Sequence, residues 1–312
     1  MKNHPVKCVA VMGATATGKS ALAIQLAGQV GGEVVSMDSR QVYRGMDIGT
    51  GKVTAEERQG IPHHLLDILE PNETGNAGRH AEMASKEIEA IASRVNVPLL
   101  VGGTGLYFDA LLQPLIDVDI PAERLEAIRA QFKSRATLEL YAELRSVDPE
   151  RAKRLSPNDR IRITRALEIH TGTGRPMSEH LSASAARSAK GEKLGVLKLV
   201  LTMPRERLRD RIADRTRAMY SAGWADEVRR LLDAGHRPDS PGMRGIGYEE
   251  ISSALLAGSD PIDTVDEVIV RTQQYAKRQE TFFRKYNGAV WLDVTGDDFF
   301  AEALGRVTDF LA

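Results

Sequence analysis

Gly13-Ala14-Thr15-Ala16-Thr17-Gly18-Lys19-Ser20 places two glycines, a lysine and a hydroxyl at the spacing G-x-x-x-x-G-K-[ST]. These residue types are suited to holding phosphate. The glycines let the backbone curl until its N–H groups converge on an anion. A helix opening at Lys19 adds the partial positive charge of its N-terminus. Lys19 can neutralise terminal phosphate oxygens, and Ser20 offers a hydroxyl to Mg²⁺. Gly13, Thr15, Ala16, Thr17, Gly18, Lys19 and Ser20 are therefore the candidate anion site, with Ser20 as the metal ligand. The plain alternative is an accidental glycine turn. The apolar run before the loop and the helical spacing after it argue against that.

The loop does not specify which phosphates it holds. A nucleoside triphosphatase usually carries a second apolar strand ending in an acid that holds Mg²⁺. Here the run Pro98–Val101 ends in Gly102-Gly103-Thr104, with no carboxylate before Asp109. A different strand ends in an acid, Glu33–Met37 followed by Asp38. In an open parallel sheet ligands meet the carboxyl ends of strands, so Asp38 is expected to face the same crevice as the glycine loop. A carboxylate there can bind Mg²⁺ through water or accept a proton from a nucleophile; a turn or cap aspartate is the bland alternative. The adjacent His63 and His64 are poor ligands for a single metal and read as structural.

The elements that must position these groups follow from periodicity. Lys7–Met12 is an apolar strand, Lys19 to about Val30 has helical spacing, and Ala77–Val95 reads as a long amphipathic helix. Strand and helix in alternation give an α/β fold, a parallel sheet core like that of P-loop NTPases. From about 117 to 192 the pattern is helical, with Pro149 and Pro157 as punctuation and a small, polar stretch at Ser182–Lys190 expected to be a mobile linker. Strand character returns at Leu194–Thr202, and helices dominate from Arg205. The expected organisation is a core over 1–116, a mostly helical insertion over 117–192, and a return to the core over 193–312.

Composition narrows the classes further. In 312 residues there are 42 basic and 43 acidic side chains, a formal charge of -1, which argues against indiscriminate coating of nucleic acid. The charge is segregated, however. Arg151–Arg175 holds seven basic against two acidic residues, and Arg271–Lys285 five against one. The single cysteine, Cys8, excludes an internal disulfide framework and a cysteine-cluster zinc site. No apolar run approaches the roughly 20 residues of a membrane span. Since the strand and glycine loop follow Met1–Lys7 directly, no secretory signal is expected, and the expected compartment is the cytoplasm.

Several segments together resemble the bacterial tRNA dimethylallyltransferases. They are the glycine loop, Asp38-Ser39-Arg40-Gln41-Val42-Tyr43-Arg44-Gly45-Met46-Asp47-Ile48-Gly49-Thr50, Pro62-His63-His64-Leu65-Leu66-Asp67 and Leu100-Val101-Gly102-Gly103-Thr104-Gly105-Leu106-Tyr107. Pro157-Asn158-Asp159 with Arg162, Arg165 and Ala166-Leu167-Glu168, then Arg244-Gly245-Ile246-Gly247-Tyr248-Glu249 and Gln274-Tyr275-Ala276-Lys277-Arg278-Gln279 complete the series. The match runs in order from about residue 7 to 293.

The resemblance implies that the loop holds dimethylallyl diphosphate rather than ATP, with Mg²⁺ as cofactor. The acceptor would be N6 of the adenosine just 3′ of the anticodon, presented by the anticodon stem-loop to a monomeric enzyme without a membrane or zinc-finger attachment. Asp38 would activate N6, and Thr104 would orient Asp38 or donate to the bridging oxygen of the leaving diphosphate. Arg211 and Arg215 are four apart on one helix face. Charge pattern alone reads that face, with six arginines and three acids over Arg205–Arg217, as solvated, but the resemblance assigns Arg215 to the diphosphate. It also assigns tRNA contacts to Asp38, Ser39, Arg40, Gln41, Arg124, Ile161, Arg162, Ile163, Thr164, Arg165, Arg244, Gly245, Ile246, Gly247, Tyr248, Glu249, Lys277, Arg278 and Gln279.

Three rivals share some of these residues. A small-molecule kinase leaves the basic helical insertion unexplained. An enzyme prenylating free adenine nucleotides has no need of the Arg162 and Lys277 segments. An RNA-binding regulator with an inactive loop leaves Asp38 and Thr104 without a role.

Overall fold

The computed structural model describes residues 5–112, 118, 120–188 and 194–312. Six strands form one parallel sheet: β1 (Val6–Gly13), β2 (Gly32–Ser36), β3 (His63–His64), β4 (Val97–Gly102), β5 (Leu194–Thr202) and β6 (Val290–Asp293). Their order is β3-β2-β4-β1-β5-β6. The register decides where loops emerge. Met12 pairs with Gly102 and Ser36 with Val101, so β1, β4 and β2 end nearly level on the same edge. The loops carrying the glycine motif, Thr104 and Asp38 thus leave from three neighbouring strands, with β5 turning the order to the other side of β1.

Thirteen α-helices lie within the described residues. Three come before the change of pattern: α1 (Lys19–Val30), α2 (Ala77–Ser93) and α3 (Gly105–Leu112). Five follow: α4 (Ala122–Lys133), α5 (Thr137–Val147), α6 (Pro149–Ala152), α7 (Arg160–Thr173) and α8 (Met177–Ser188). The last five are α9 (Arg205–Ser221), α10 (Trp224–Asp233), α11 (Tyr248–Ala257), α12 (Val265–Phe283) and α13 (Phe299–Leu311). Alternate side chains of β1 point to opposite faces. Val9 and Val11 join Leu22 and Leu26 of α1 and Val307 of α13 in one core. None of the described helices is long and apolar enough to cross a membrane.

The chain divides into two compact units, Met1–Leu111 with Lys193–Ala312, and Leu112–Glu192. The boundaries expected at 116–117 and 192–193 lie outside the described residues. The second unit is α4 to α8 around Ile128, Phe132, Leu140, Leu144, Ile163 and Leu167. Arg160 caps the end of α4 by donating to the carbonyls of Phe132 (2.6 Å), Lys133 (3.2 Å) and Arg135 (2.7 Å). Buried Asp148 caps α6 through the Arg151 N–H and accepts the Ser178 N–H from α8 at 2.9 Å.

One expectation needs correction. Ser182–Lys190 is not a linker throughout, because α8 continues to Ser188; its alanines favour helix despite the polar serines between them. Residues 189 and 190 lie outside the described set. The short edge strands β3 and β6, two and four residues long, were not anticipated. His64 earns its place structurally: it lies 2.6 Å from buried Glu33 and 3.2 Å from Glu87, while Arg94 and Asn96 donate to the same Glu33.

Candidate active site

The loop between β1 and α1 curls through positive φ at Gly13 (141°), Ala16 (63°) and Gly18 (91°). Gly13 cannot be replaced without strain, since a Cβ there would sit 2.6 Å from the Leu201 carbonyl oxygen of β5. Thr17 is buried and its hydroxyl donates to the Ala14 carbonyl at 2.8 Å. Thr17 therefore shapes the loop from within, leaving its backbone as the group it can offer an anion. Lys19 donates to the same carbonyl at 2.6 Å, so its ammonium arches over the loop. Ser20 follows in the first turn of α1.

Arg215 of α9 reaches this loop, with Nη1 3.5 Å from the Thr15 hydroxyl. Arg211, one turn earlier, lies beside Gly18, where an added Cβ would come within 3.6 Å of its Nη2. Burial lowers the Lys19 ammonium to about 8, Asp38's charge opposing the drop and Arg215 adding to it. Arg215 is lowered by burial as well, with Asp38 again opposing. One carboxylate therefore acts on both cations of the anion site.

Asp38 Oδ1 accepts the N–H of Arg40 (2.8 Å) and that of Gln41 (3.4 Å), a turn that orients the carboxyl group. Among the described residues no protein donor reaches Oδ2. No hydrogen bond among the described residues joins Asp38 to Thr104. Its Oγ1 accepts the Ser39 N–H at 2.9 Å and lies 3.2 Å from the Ser39 hydroxyl, so it steadies the Asp38 turn through the next residue. Two tyrosines missed in the sequence stand near this carboxylate. Burial raises Tyr275 to about 12, with Asp38's charge reinforcing and a hydrogen bond with Thr104 opposing the rise. Tyr107 is also raised to about 12, by burial first and then by the charges of Tyr43 and Asp38; it stacks on His80 at 4.0 Å.

Gln279 corrects an expectation. It is 5% exposed and cannot lie on an RNA face. Its Oε1 accepts the Thr15 N–H at 2.8 Å while its Nε2 donates to the Gly103 carbonyl at 2.9 Å, joining the anion loop to the turn that carries Thr104. Lys277 and Arg278, on the other side of α12, are exposed.

The remaining candidates of this unit fall into two groups. Arg40 donates to the carbonyls of Pro241 (3.0 Å) and Gly242 (3.3 Å), which brings the Asp38–Gln41 turn against the segment leading to exposed Arg244. Gln41 donates its amide to Thr50 and Gly51. Gly245, Gly247 and Tyr248 are buried, so their side of the segment packs inward; Ile246 is half-buried, and exposed Glu249 pairs with Arg271 at 2.8 Å. Tyr248 is fully enclosed and donates to Glu227 at 2.5 Å, which excludes it as a direct RNA contact.

Within the helical unit, Arg124, Ile161, Arg162 and Arg165 are exposed and Thr164 is half-buried. Arg162 pairs with Asp159 (2.8 Å), Arg165 with Glu168 (3.1 Å), and Arg124 donates to the Thr171 carbonyl (3.3 Å). Ile163 is fully buried in the core of this unit: it fixes α7 and leaves Ile161, Arg162 and Arg165 facing out.

No group of three or more histidine, cysteine, aspartate or glutamate side chains fit to hold a metal exists among the described residues. What the loop offers is hard oxygen, the Ser20 hydroxyl in the first turn of α1. That donor set fits Mg²⁺, which takes one or two protein oxygens and completes its shell with phosphate and water.

Residues 41–286 match the family model described as IPP transferase. The chain is 44% identical to "tRNA dimethylallyltransferase 1" of Citrifermentans bemidjiense, over 100% of this chain and 99% of that one. Among solved structures it is similar to the full-length tRNA isopentenylpyrophosphate transferase of Bacillus halodurans, with a TM-score of 0.71, 36% identity and coverage of 98% and 96%. It is also similar to a eukaryotic dimethylallyltransferase acting on tRNA, with a TM-score of 0.82, 29% identity and coverage of 98% and 79%.

Proposed function

The chain belongs to the IPP transferase family, and from that premise we propose that it transfers a dimethylallyl group from dimethylallyl diphosphate to N6 of a tRNA adenosine, the one just 3′ of the anticodon. In this reaction a bond forms between N6 and the allylic carbon while the bond from that carbon to the bridging oxygen breaks. The electron pair leaves with diphosphate, and one N6 proton is lost.

The adenine amine is a weak nucleophile because its lone pair is delocalised into the ring. Asp38 Oδ2, held by the Arg40 and Gln41 amides on its other oxygen, is the acceptor for the N6 proton. Thr104, accepting the Ser39 N–H, keeps that turn in place. Charge that grows on the departing diphosphate is met by Lys19, Arg215 and the loop amides, groups already oriented before reaction. Mg²⁺ held through Ser20 supplies further neutralisation of the leaving group when bound.

Exposed Arg162 and Arg165 on α7, Arg244, and Lys277 and Arg278 on α12 are suited to phosphate contacts, which position RNA without reading its sequence. An anticodon-loop base can be extruded at a cost of about a few kcal/mol, which brings N6 to the half-buried Asp38 carboxylate.

The observation that most supports this reading is the link from the anion loop to the Asp38 turn: Gln279 joins the Thr15 N–H to the Gly103 carbonyl, and the adjacent Thr104 accepts the Ser39 N–H. Radiolabelled dimethylallyl diphosphate offered with unmodified tRNA, with free AMP, or replaced by ATP tests it. Label in the tRNA alone is expected. Label in AMP alone, or ATP turnover without prenyl transfer, contradicts it.

A further inference from the structure

Glu227 is 2% exposed, and among the described residues no lysine or arginine pairs with it. Four donors surround it instead. Oε2 accepts the N–H of Asp47 (2.9 Å) and of Ile48 (2.7 Å); Oε1 accepts the N–H of Gly49 (3.2 Å) and the Tyr248 hydroxyl (2.5 Å). Three consecutive backbone amides converging on one carboxylate form an anion nest, here filled by the protein itself. Burial and Glu227's charge hold the Tyr248 phenol well above its ordinary range, which keeps it a donor.

Trp224, three residues earlier on the same face of α10, closes the turn from the side. A Cβ at Gly49 would sit 2.0 Å from its Nε1. The far end of the turn carries two groups that matter for the reaction. The carbonyls of Thr50 and Gly51 accept the Gln41 amide at 3.3 and 3.2 Å. Gly51, at φ 59°, lies against the Arg215 guanidinium, where a Cβ would come within 1.8 Å of Nη2.

The geometry points to Glu227 as a positioning residue: it clamps the Asp47–Gly51 turn so that the turn forms the floor under Arg215, and thereby sets the affinity of the site for the allylic diphosphate. This rests on the transferase reading, in which Arg215 holds that diphosphate. Glu227→Gln replaces one acceptor oxygen with an amino group facing backbone donors, so the nest opens at one side.

The test measures binding of inorganic diphosphate, with Mg²⁺, to the wild type, Glu227→Gln, Arg215→Ala and the double variant. Groups acting through one another couple, whereas independent ones add. Glu227→Gln is expected to weaken binding roughly tenfold and to add nothing in the Arg215→Ala background. Equal affinity for the wild type and Glu227→Gln, or losses that multiply in the double variant, overturns the inference. Wild-type protein that binds no diphosphate overturns the transferase reading instead, so the two failures are distinct.

Should Glu227→Gln not fold, Tyr248→Phe carries the same cycle. It keeps the charge and removes one of the four donors. A smaller loss that vanishes in the Arg215→Ala background is expected, and additive losses or none contradict the inference. In steady state the loss is expected in KM for the allylic diphosphate, with KM for tRNA unmoved; a role in stability alone leaves the folded enzyme with both constants unchanged.

Discussion

The side-chain oxygen of Gln279 accepts the backbone N–H of Thr15 at 2.8 Å, joining residues 264 apart in sequence. Since the same amide donates to Gly103, the anion loop and the Thr104 turn are held at a fixed separation by one side chain. Gln279→Ala is expected to weaken diphosphate binding and lower kcat while leaving the salt dependence of tRNA binding as it is. Titrations at several salt concentrations check this. A reduced salt slope would return Gln279 to the RNA surface.

Lys19 titrates near 8 rather than its usual 10.5, because burial disfavours the ammonium. The protonated form is the one that holds phosphate, so diphosphate affinity should fall as pH rises through about 8. Lys19→Arg, which stays charged, should lack that break although the ligand's own ionisation is unchanged. In the free protein the sign for stability is opposite to that for binding. The unfolded chain binds the proton more tightly, so burying Lys19 costs stability at pH 7, and the cost is relieved between about 8 and 10.5. Lys19→Met should therefore melt at a higher temperature than the wild type at pH 7, with the gap narrowing toward pH 10.

Neighbouring residues of α7 should give contrasting phenotypes. Arg165 is exposed and Ile163 fully buried. Arg165→Ala should raise the tRNA KM and reduce the salt slope by about 1, the value of one phosphate contact. Ile163→Ala should leave the slope unchanged and destabilise the protein by about 2–5 kcal/mol, as expected for a cavity in a packed core. Thermal melts with salt titrations of tRNA binding distinguish the two.

The glycine loop, the place of Asp38 at the end of its strand and the alternation that builds the sheet were legible because each depends on residue type and local spacing, whereas Thr104 entered through the family resemblance. Gln279 and Ile163 were misread for one physical reason. Adjacent residues on a helix point about 100° apart, and a functional segment mixes inward and outward side chains. The signal was present in the periodicity. Tyr275, Gln279 and Phe283 recur every four residues on α12, as Ile163 and Leu167 do on α7. On α10, Trp224, Glu227, Val228 and Leu231 mark one buried face, and a glutamate at a core position is the trace by which Glu227 could have been found. The three backbone amides it holds lie 178 to 180 residues away, beyond any spacing rule. Strand β6 has only four residues, which is too few for alternation to declare itself.

Single-turnover prenyl transfer by Asp38→Asn, with tRNA and dimethylallyl diphosphate both saturating, most directly tests the role of the Asp38 carboxylate. Asparagine keeps the shape and the acceptor oxygen that serves the Arg40 and Gln41 amides, but it cannot take the N6 proton. The transfer rate should fall by about 10²–10⁴, with diphosphate affinity equal to or tighter than that of the wild type, because a negative charge near Lys19 and Arg215 has been removed. A transfer rate within a factor of about two of the wild type would contradict it.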